Sequence, residues 1–289
     1  MRIIAGIEAG GTKINCGIGY ENGEIIDRIS IPTTTPEETI NEIIRYFKDK
    51  DFTSMGLASF GPIDIDKNSS TYGYITTTPK PGWANTNILG EIKKHFNVPI
   101  NFDSDVNAAV LAEKTWGSAV GLNNALYLTI GTGIGGGAII NNRIHKGLTL
   151  PEMGHIFVKK EIDFKGICPY HGDCLEGLAS GPAIEKRTGI KGNLILEDNP
   201  VWNEVANHLA EAIVSYILIL SPEKIILGGG VMKQKHLFTK IQKKVLEKLN
   251  GYVDNKKITE NIQDYIVFPK LGDFTGFYGS LALALIDNN

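Results

Sequence analysis

The feature that most constrains this chain is a glycine turn set between two apolar runs, and it occurs twice. Residues 125–140 read Ala-Leu-Tyr-Leu-Thr-Ile-Gly-Thr-Gly-Ile-Gly-Gly-Gly-Ala-Ile-Ile. Tyr127, Leu128 and Ile130 carry the β-rich apolar side chains of a buried strand. Gly131, Gly133 and the run Gly135-Gly136-Gly137 permit positive φ and leave backbone N–H groups uncovered, which is how a main chain comes close to a phosphate. A weaker copy opens the chain as Ile3-Ile4-Ala5-Gly6-Ile7-Glu8-Ala9-Gly10-Gly11-Thr12-Lys13-Ile14. Two such hairpins roughly 120 residues apart predict two similar lobes facing one ligand, because ~150 residues is an ordinary domain length.

The rest of the chain alternates strands with helices. Thr35, Pro36, Glu37 and Glu38 give the start of a helix whose Ile40, Ile43, Ile44 and Phe47 share one face. Short strands are predicted at 25–31, 55–60, 98–102, 223–227 and 266–268, and helices at 106–116, 200–220 and 276–286. Residues 64–87 are polar, rich in threonine and glycine and without clear period; connections of that length are commonly functional or mobile. The pattern predicts an α/β fold of two lobes, residues 1–118 and 119–289, with the C-terminal helix returning to the first lobe.

Composition excludes several classes. A net charge of −3 offers no bulk attraction for nucleic acid. No apolar run reaches the ~18 residues of a membrane span, and the N-terminus does not read as a secretion signal, so a cytoplasmic protein is expected. Three cysteines are too few for a disulfide framework.

Three groups of residues could carry chemistry. The first glycine turn has the Gly6 and Gly11 spacing of a Walker A loop, but Thr12-Lys13 stand in the wrong order and a strand follows, so the P-loop reading is rejected. Three glycine turns at strand ends, at Gly10, Gly131 and Gly228, still favour phosphate binding over three plain turns. Next, Asp103-Ser104-Asp105-Val106-Asn107 joins a strand to a helix. Asp or Ser commonly caps a helix at such a junction and one of the two carboxylates can be spent that way, while the other, at a strand's carboxyl end, could take a proton from an alcohol during phosphoryl transfer. Asp105 is the candidate.

The third group is His155 with Cys168-Pro169-Tyr170-His171-Gly172-Asp173-Cys174. Two thiolates and two imidazoles make the Cys₂His₂ set of tetrahedral zinc, and four protein ligands imply a structural ion. A chance gathering of two buried cysteines and two surface histidines is the plainer alternative. Glu152 and His155 form Glu-x-x-His, but Pro151 and Gly154 argue against a metalloprotease helix. Trp83, in Pro79-Lys80-Pro81-Gly82-Trp83, is either a sugar-stacking platform or a loop anchor.

Taken together these segments resemble the ROK sugar kinases (repressors, open reading frames and kinases), and most closely the bacterial fructokinase branch. The resemblance rests on Gly6-Ile7-Glu8-Ala9-Gly10-Gly11-Thr12-Lys13, Thr77-Thr78-Pro79-Lys80-Pro81-Gly82-Trp83, Asp105-Val106-Asn107-Ala108-Ala109, Ile130-Gly131-Thr132-Gly133-Ile134-Gly135-Gly136-Gly137, Glu152-Met153-Gly154-His155, the Cys168–Gly177 loop and Gly228-Gly229-Gly230. It implies a two-lobed actin-like ATPase fold, related to ribonuclease H, with a central cleft. It further implies that Gly10, Gly11, Thr12, Lys13, Gly131, Thr132 and Gly133 hold ATP phosphates, with Gly229 and Gly230 near the nucleotide. Asp105 falls on the family's catalytic base and Glu152 on a sugar ligand; Asn107 and Trp83 join the sugar side. His155, Cys168, His171 and Cys174 fall on the zinc ligands, magnesium accompanies ATP, and homodimers are common in the family. Glu8 stands where most members have aspartate, though the fructokinase branch often carries glutamate there, and the cysteine spacing differs from the glucokinase form.

The expected activity is phosphorylation of a hexose hydroxyl by ATP, with D-fructose to fructose 6-phosphate first. Another hexose (glucose, mannose or N-acetylmannosamine) is the nearest alternative. A sugar-sensing repressor is disfavoured because the first hairpin begins within ten residues of the start, leaving no stretch for a reading helix. A nucleotide-binding module without transfer activity is the remaining reading.

Overall fold

The computed structural model describes residues 1–160 and 163–286. They divide into two compact units. The first holds Met1–Val120, Lys146–Leu150 and the chain from Asp273 onward; the second holds Gly121–His145 and Pro151–Gly272.

In the first unit β1 (Ile3–Ala9), β2 (Lys13–Tyr20) and β3 (Ile25–Pro32) form an antiparallel meander. β4 (Met55–Ser59) and β5 (Ile100–Ser104) then add in parallel on the other side of β1, giving the order β3-β2-β1-β4-β5. Helix α1 (Pro36–Phe47) starts where Thr35 accepts the Glu38 N–H, with proline at its first position and acids in its first turn. Its buried side, Ile40, Ile43 and Phe47, packs into the same core as Leu57 and Ile7. α2 (Ile88–Lys93) and α3 (Asp105–Thr115) complete this half of the chain.

The C-terminal helix Thr275–Leu283 belongs to this unit and seats directly on the sheet. A Cβ on Gly56 would lie 1.9 Å from the Ser280 carbonyl, and one on Gly6 2.4 Å from the Ser280 hydroxyl. Only glycine lets the backbones approach so closely. Ser54 Oγ, donating to the Ala284 carbonyl at 2.8 Å, closes the end of the helix onto β4.

The second unit repeats the plan. β6 (Ala125–Ile130), β7 (Ile134–Ile140) and β8 (Arg143–Ile144) are antiparallel, and β9 (Lys224–Gly228) and β10 (Ile266–Val267) run parallel to β6, in the order β10-β9-β6-β7-β8. Read from the meander side, that is the order of the first sheet. Around it lie α4 (Leu175–Ala179), α5 (Gly181–Thr188), α6 (Val201–Leu220), α7 (His236–Leu249), α8 (Lys256–Thr259) and α9 (Ile262–Tyr265). The apolar face of α6, including Val205, Leu209 and Ile213, shares one core with Leu126, Leu128 and Ile225 of the sheet. No helix among the described residues is long and apolar enough to cross a membrane.

Candidate functional site

Each glycine turn sits at the end of the central strand of its unit. In the first unit the Gly10 N–H donates to the Lys13 carbonyl at 3.1 Å and closes the β1–β2 turn. Thr33 braces it from β3, donating from Oγ1 to the Gly10 carbonyl at 2.7 Å and from its N–H to the Thr12 carbonyl at 3.0 Å. Gly11, Thr12 and Lys13 are exposed, and a Cβ on Gly11 would meet nothing within 4 Å. In the second unit the Gly131 N–H donates to the Gly133 carbonyl at 2.9 Å, closing the β6–β7 turn.

That second turn is held by Glu176, from the loop after the cysteines, and by Gly181. Glu176 Oε2 accepts the Ile134 N–H at 2.9 Å and lies 2.7 Å from where a Cβ on Gly133 would stand. The Gly181 N–H, at the start of α5, donates to the Gly131 carbonyl at 2.8 Å. Gly230 is a neighbour: a Cβ on Gly131 would lie 3.8 Å from its nitrogen. Gly229 has φ +91°, and a Cβ there would meet the Ile130 backbone at 2.4–2.7 Å, so both the conformation and the space demand glycine. Within this unit Gly131, Thr132, Gly133, Gly229 and Gly230 are thus one neighbourhood of bare backbone.

At the β5–α3 junction the helix cap is Ser104, whose Oγ accepts the Asn107 N–H at 3.2 Å. Capping therefore does not account for Asp105, which stands at the first helical position, half-buried, with Oδ1 accepting the Val106 N–H at 2.9 Å. Asp103 is buried behind it, its Oδ1 accepting from the Ser104 N–H and from Asn107 Nδ2 at 2.8 Å each. Asn107 is buried too, and its Oδ1 has no partner.

Trp83 needs correcting as a sugar platform. It is fully buried, its indole N–H donates to the Thr34 carbonyl at 2.8 Å, and its ring meets Phe60 edge-on at 5.6 Å. With no exposed face it cannot stack on a sugar, and its position is that of an anchor for the long loop. The loop itself is pinned by short bridges, Ile63 to Ile75 and Ile75 to Thr86.

Glu8 lies on β1 opposite Asn15, whose Nδ2 donates to Glu8 Oε2 at 2.7 Å; its Oε1 would be 1.9 Å from a Cβ on Gly276. Burial pushes the Glu8 carboxyl up to about 7, against the pull of the Asn15 hydrogen bond, with Asp105 raising it further and Lys13 and Arg28 lowering it. The unfolded chain holds that proton only to about 4.5, so the group's support for the fold is complete below pH 4.5 and is lost as pH rises through 7. Glu8→Gln keeps an acceptor for Asn15 and removes the charge. We expect it to be more stable than wild type at pH 8 by up to about 3 kcal/mol, with the gain vanishing near pH 4. Melting curves of the ligand-free proteins at the two pH values check this, and a pH-independent difference would contradict it.

In the second unit His155, Cys168, His171 and Cys174 bring one donor atom each to within 4.8 Å of all the others. The chain does this with a tight loop: the Gly172 N–H donates to the Cys168 carbonyl at 2.9 Å, Gly172 takes φ +60°, and Phe157 bridges to Cys174. His155 Nδ1 stands 3.7 Å from Cys168 Sγ and 3.6 Å from Cys174 Sγ, and His171 Nδ1 3.7 Å from Cys168 Sγ. A tetrahedral ion with Zn–S near 2.3 Å and Zn–N near 2.0–2.1 Å has S···N edges of about 3.6 Å. The cluster fits that ion in donor type and in size. Burial pushes the Cys174 thiol up to about 11, so a thiolate there needs a cation beside it. Asp173 is not part of the set: its carboxylate takes the Gly166 N–H at 2.6 Å and Lys160 at 3.0 Å.

Glu152 precedes this cluster. The residue is exposed, yet its carboxyl end is sheltered enough that desolvation raises its pKa, with His155 lowering it and Glu176 raising it.

A carboxylate at a strand end, paired glycine turns and two sheets of one design are the parts of an actin-like ATPase fold, and the chain belongs to the ROK family, whose profile matches residues 4–286. A Bacillus subtilis protein is 50% identical over 98% of this chain and 95% of its own. The fructokinase of Pediococcus pentosaceus is 46% identical over 98% of this chain and 97% of the relative. Among solved structures, a ROK hexokinase from Thermus thermophilus superposes with a TM-score of 0.81 at 23% identity, covering 98% of this chain and 97% of the other.

Proposed function

We propose that this protein phosphorylates D-fructose at its 6-hydroxyl with ATP. The reading is supported by full-length relatives named fructokinase at 40–47% identity in four bacteria. The single structural observation that carries the chemistry is that Ser104, not Asp105, caps α3. A carboxylate at the carboxyl end of a parallel strand, beside a helix capped by its neighbour, stands where a base for an alcohol would stand.

In this mechanism Asp105 accepts the proton of the sugar hydroxyl as its oxygen attacks the γ-phosphorus of ATP and the bond to ADP breaks. Magnesium enters as part of the ATP complex and offsets phosphate charge. The amides of Gly11 and Thr12 with the Lys13 ammonium at one turn, and those of Thr132 and Gly133 at the other, bind phosphate oxygens. The Gly10 and Gly131 amides close the turns instead, donating to the Lys13 and Gly133 carbonyls, and Gly229 and Gly230 leave room for the nucleotide. Glu152 orients a sugar hydroxyl; Asn107 is buried with its Nδ2 on Asp103, so it braces the turn that carries Asp105 rather than meeting the sugar. His155, Cys168, His171 and Cys174 hold zinc as a structural ion, since four protein ligands leave no position for substrate. Following the resemblance, we place the reaction in the cytoplasm and the working assembly as a homodimer.

ADP release assayed on fructose, glucose, mannose and N-acetylmannosamine tests the substrate. We expect the highest kcat/KM on fructose; fructose ranking last would end that assignment and leave the kinase assignment standing. Hexoses differ by single hydroxyl contacts, so this ranking has to be measured.

A further inference from the structure

Between β8 and Pro151 the chain lends five residues, Lys146–Leu150, to the first unit. Lys146 Nζ stands 2.6 Å from Asp103 Oδ2. The two ends of this ion pair differ: the Asp103 side chain is 2% exposed and that of Lys146 39%. Asp103 Oδ1 is occupied by the Ser104 N–H and by Asn107 Nδ2. Ser104 in turn caps the helix through the Asn107 N–H. One buried carboxylate therefore ties together the end of β5, the cap of α3 and the first turn of α3, on which Asp105 stands. Neutral donors serve one of its oxygens and a cation the other.

A buried charge is stable only with its counter-charge in place, and removing one partner costs far more than the pair is worth. We propose that Lys146 is a positioning residue for phosphoryl transfer: by neutralising Asp103 it fixes the first turn of α3 and so the direction in which Asp105 is presented. This rests on the reading of Asp105 as the base. Without the lysine, the Asp103 carboxylate is drawn toward water, its grip on Ser104 and Asn107 slackens, and the base is displaced. Lys146 itself need touch neither sugar nor nucleotide.

The test is steady-state kinetics on fructose and ATP with Lys146→Met, Lys146→Arg, the double variant Asp103→Asn/Lys146→Met, and Asp105→Asn. A misplacement near 1 Å can cost ~100-fold, so Lys146→Met should lower kcat by about 10- to 100-fold while KM for ATP changes less than about 3-fold. Lys146→Arg should retain most of the activity. The double variant should recover most of the loss, because an asparagine at 103 still accepts from Ser104 and Asn107 and needs no cation. Melting curves establish that each variant is folded; should Lys146→Met melt below assay temperature, Lys146→Gln replaces it with the same expectation of rescue by Asp103→Asn.

A double variant no better than the single one would overturn the proposal. So would a loss confined to KM for fructose, which would make Lys146 a sugar ligand. If Asp105→Asn turns over normally, the base assignment fails and takes this inference with it. If Asp105→Asn is inactive and no rescue is seen, the inference fails alone.

Discussion

Asp105→Asn should lower kcat by roughly 10²- to 10⁴-fold, the contribution usual for a positioned general base. The substitution is nearly isosteric, and the amide oxygen can still accept the Val106 N–H that Asp105 Oδ1 accepts at 2.9 Å. Ser104 continues to cap α3. Fold and stability should therefore change little, and the loss should fall on kcat and on kcat/KM together, as expected for a contact made only in the transition state. Nucleotide affinity, read by calorimetry with ADP, should stay within a factor of about 3 because the glycine turns are untouched. Wild-type turnover in this variant would remove Asp105 from the chemistry. A fall in ADP affinity matching the fall in kcat would instead make it a binding residue.

The second large effect should come from the Cys₂His₂ cluster. Purified protein should carry about one equivalent of zinc, and Cys174→Ser or exhaustive chelation should cost several kcal/mol, about 10 °C in melting temperature for a chain of this size. Cys174 is fully buried and immediately precedes α4, whose Glu176 holds the Ile134 N–H. Loosening the loop should therefore reach the Gly131–Gly133 turn and raise KM for ATP as well. Elemental analysis gives the metal content, and melting curves with and without chelator give the stability. A metal-free protein that melts at the same temperature would eliminate the ion. An ion present but removable without any change in melting would leave the cluster a binding site with no structural duty.

The parts of the fold legible in the sequence were those governed by local rules. Thr35-Pro36 with two acids announced α1, and the spacing of Ile40, Ile43 and Phe47 announced its buried face. The glycine hairpins were visible because a turn flanked by β-rich runs needs no distant partner. The cluster of cysteine and histidine was visible because three of its four ligands sit within seven residues. What stayed hidden depends on residues far apart in the chain. Lys146 and Asp103 are 43 positions apart, and although Asp103 lies in the segment that carries Asp105, nothing around Lys146 points to it. Glu176 meets Ile134 from 42 positions away, and no pattern in either stretch points to the other. Trp83 was undecided for the same reason: an exposed platform and a buried anchor have the same sequence, and only the Thr34 carbonyl under its indole N–H separates them. At the β5–α3 junction three neighbouring side chains could each have capped the helix, and geometry gave the task to Ser104.

The seat of the C-terminal helix on Gly6 and Gly56 has a consequence for biosynthesis. The first unit is made first but is finished last, since residues 275–283 leave the ribosome after the whole of the second unit. At ordinary elongation rates the nascent sheet waits on the order of 10 s for the helix that covers it. During that interval the face carrying Gly6 and Gly56 is an open groove, and a chain arrested before residue 275 is exposed to chaperone capture or aggregation there.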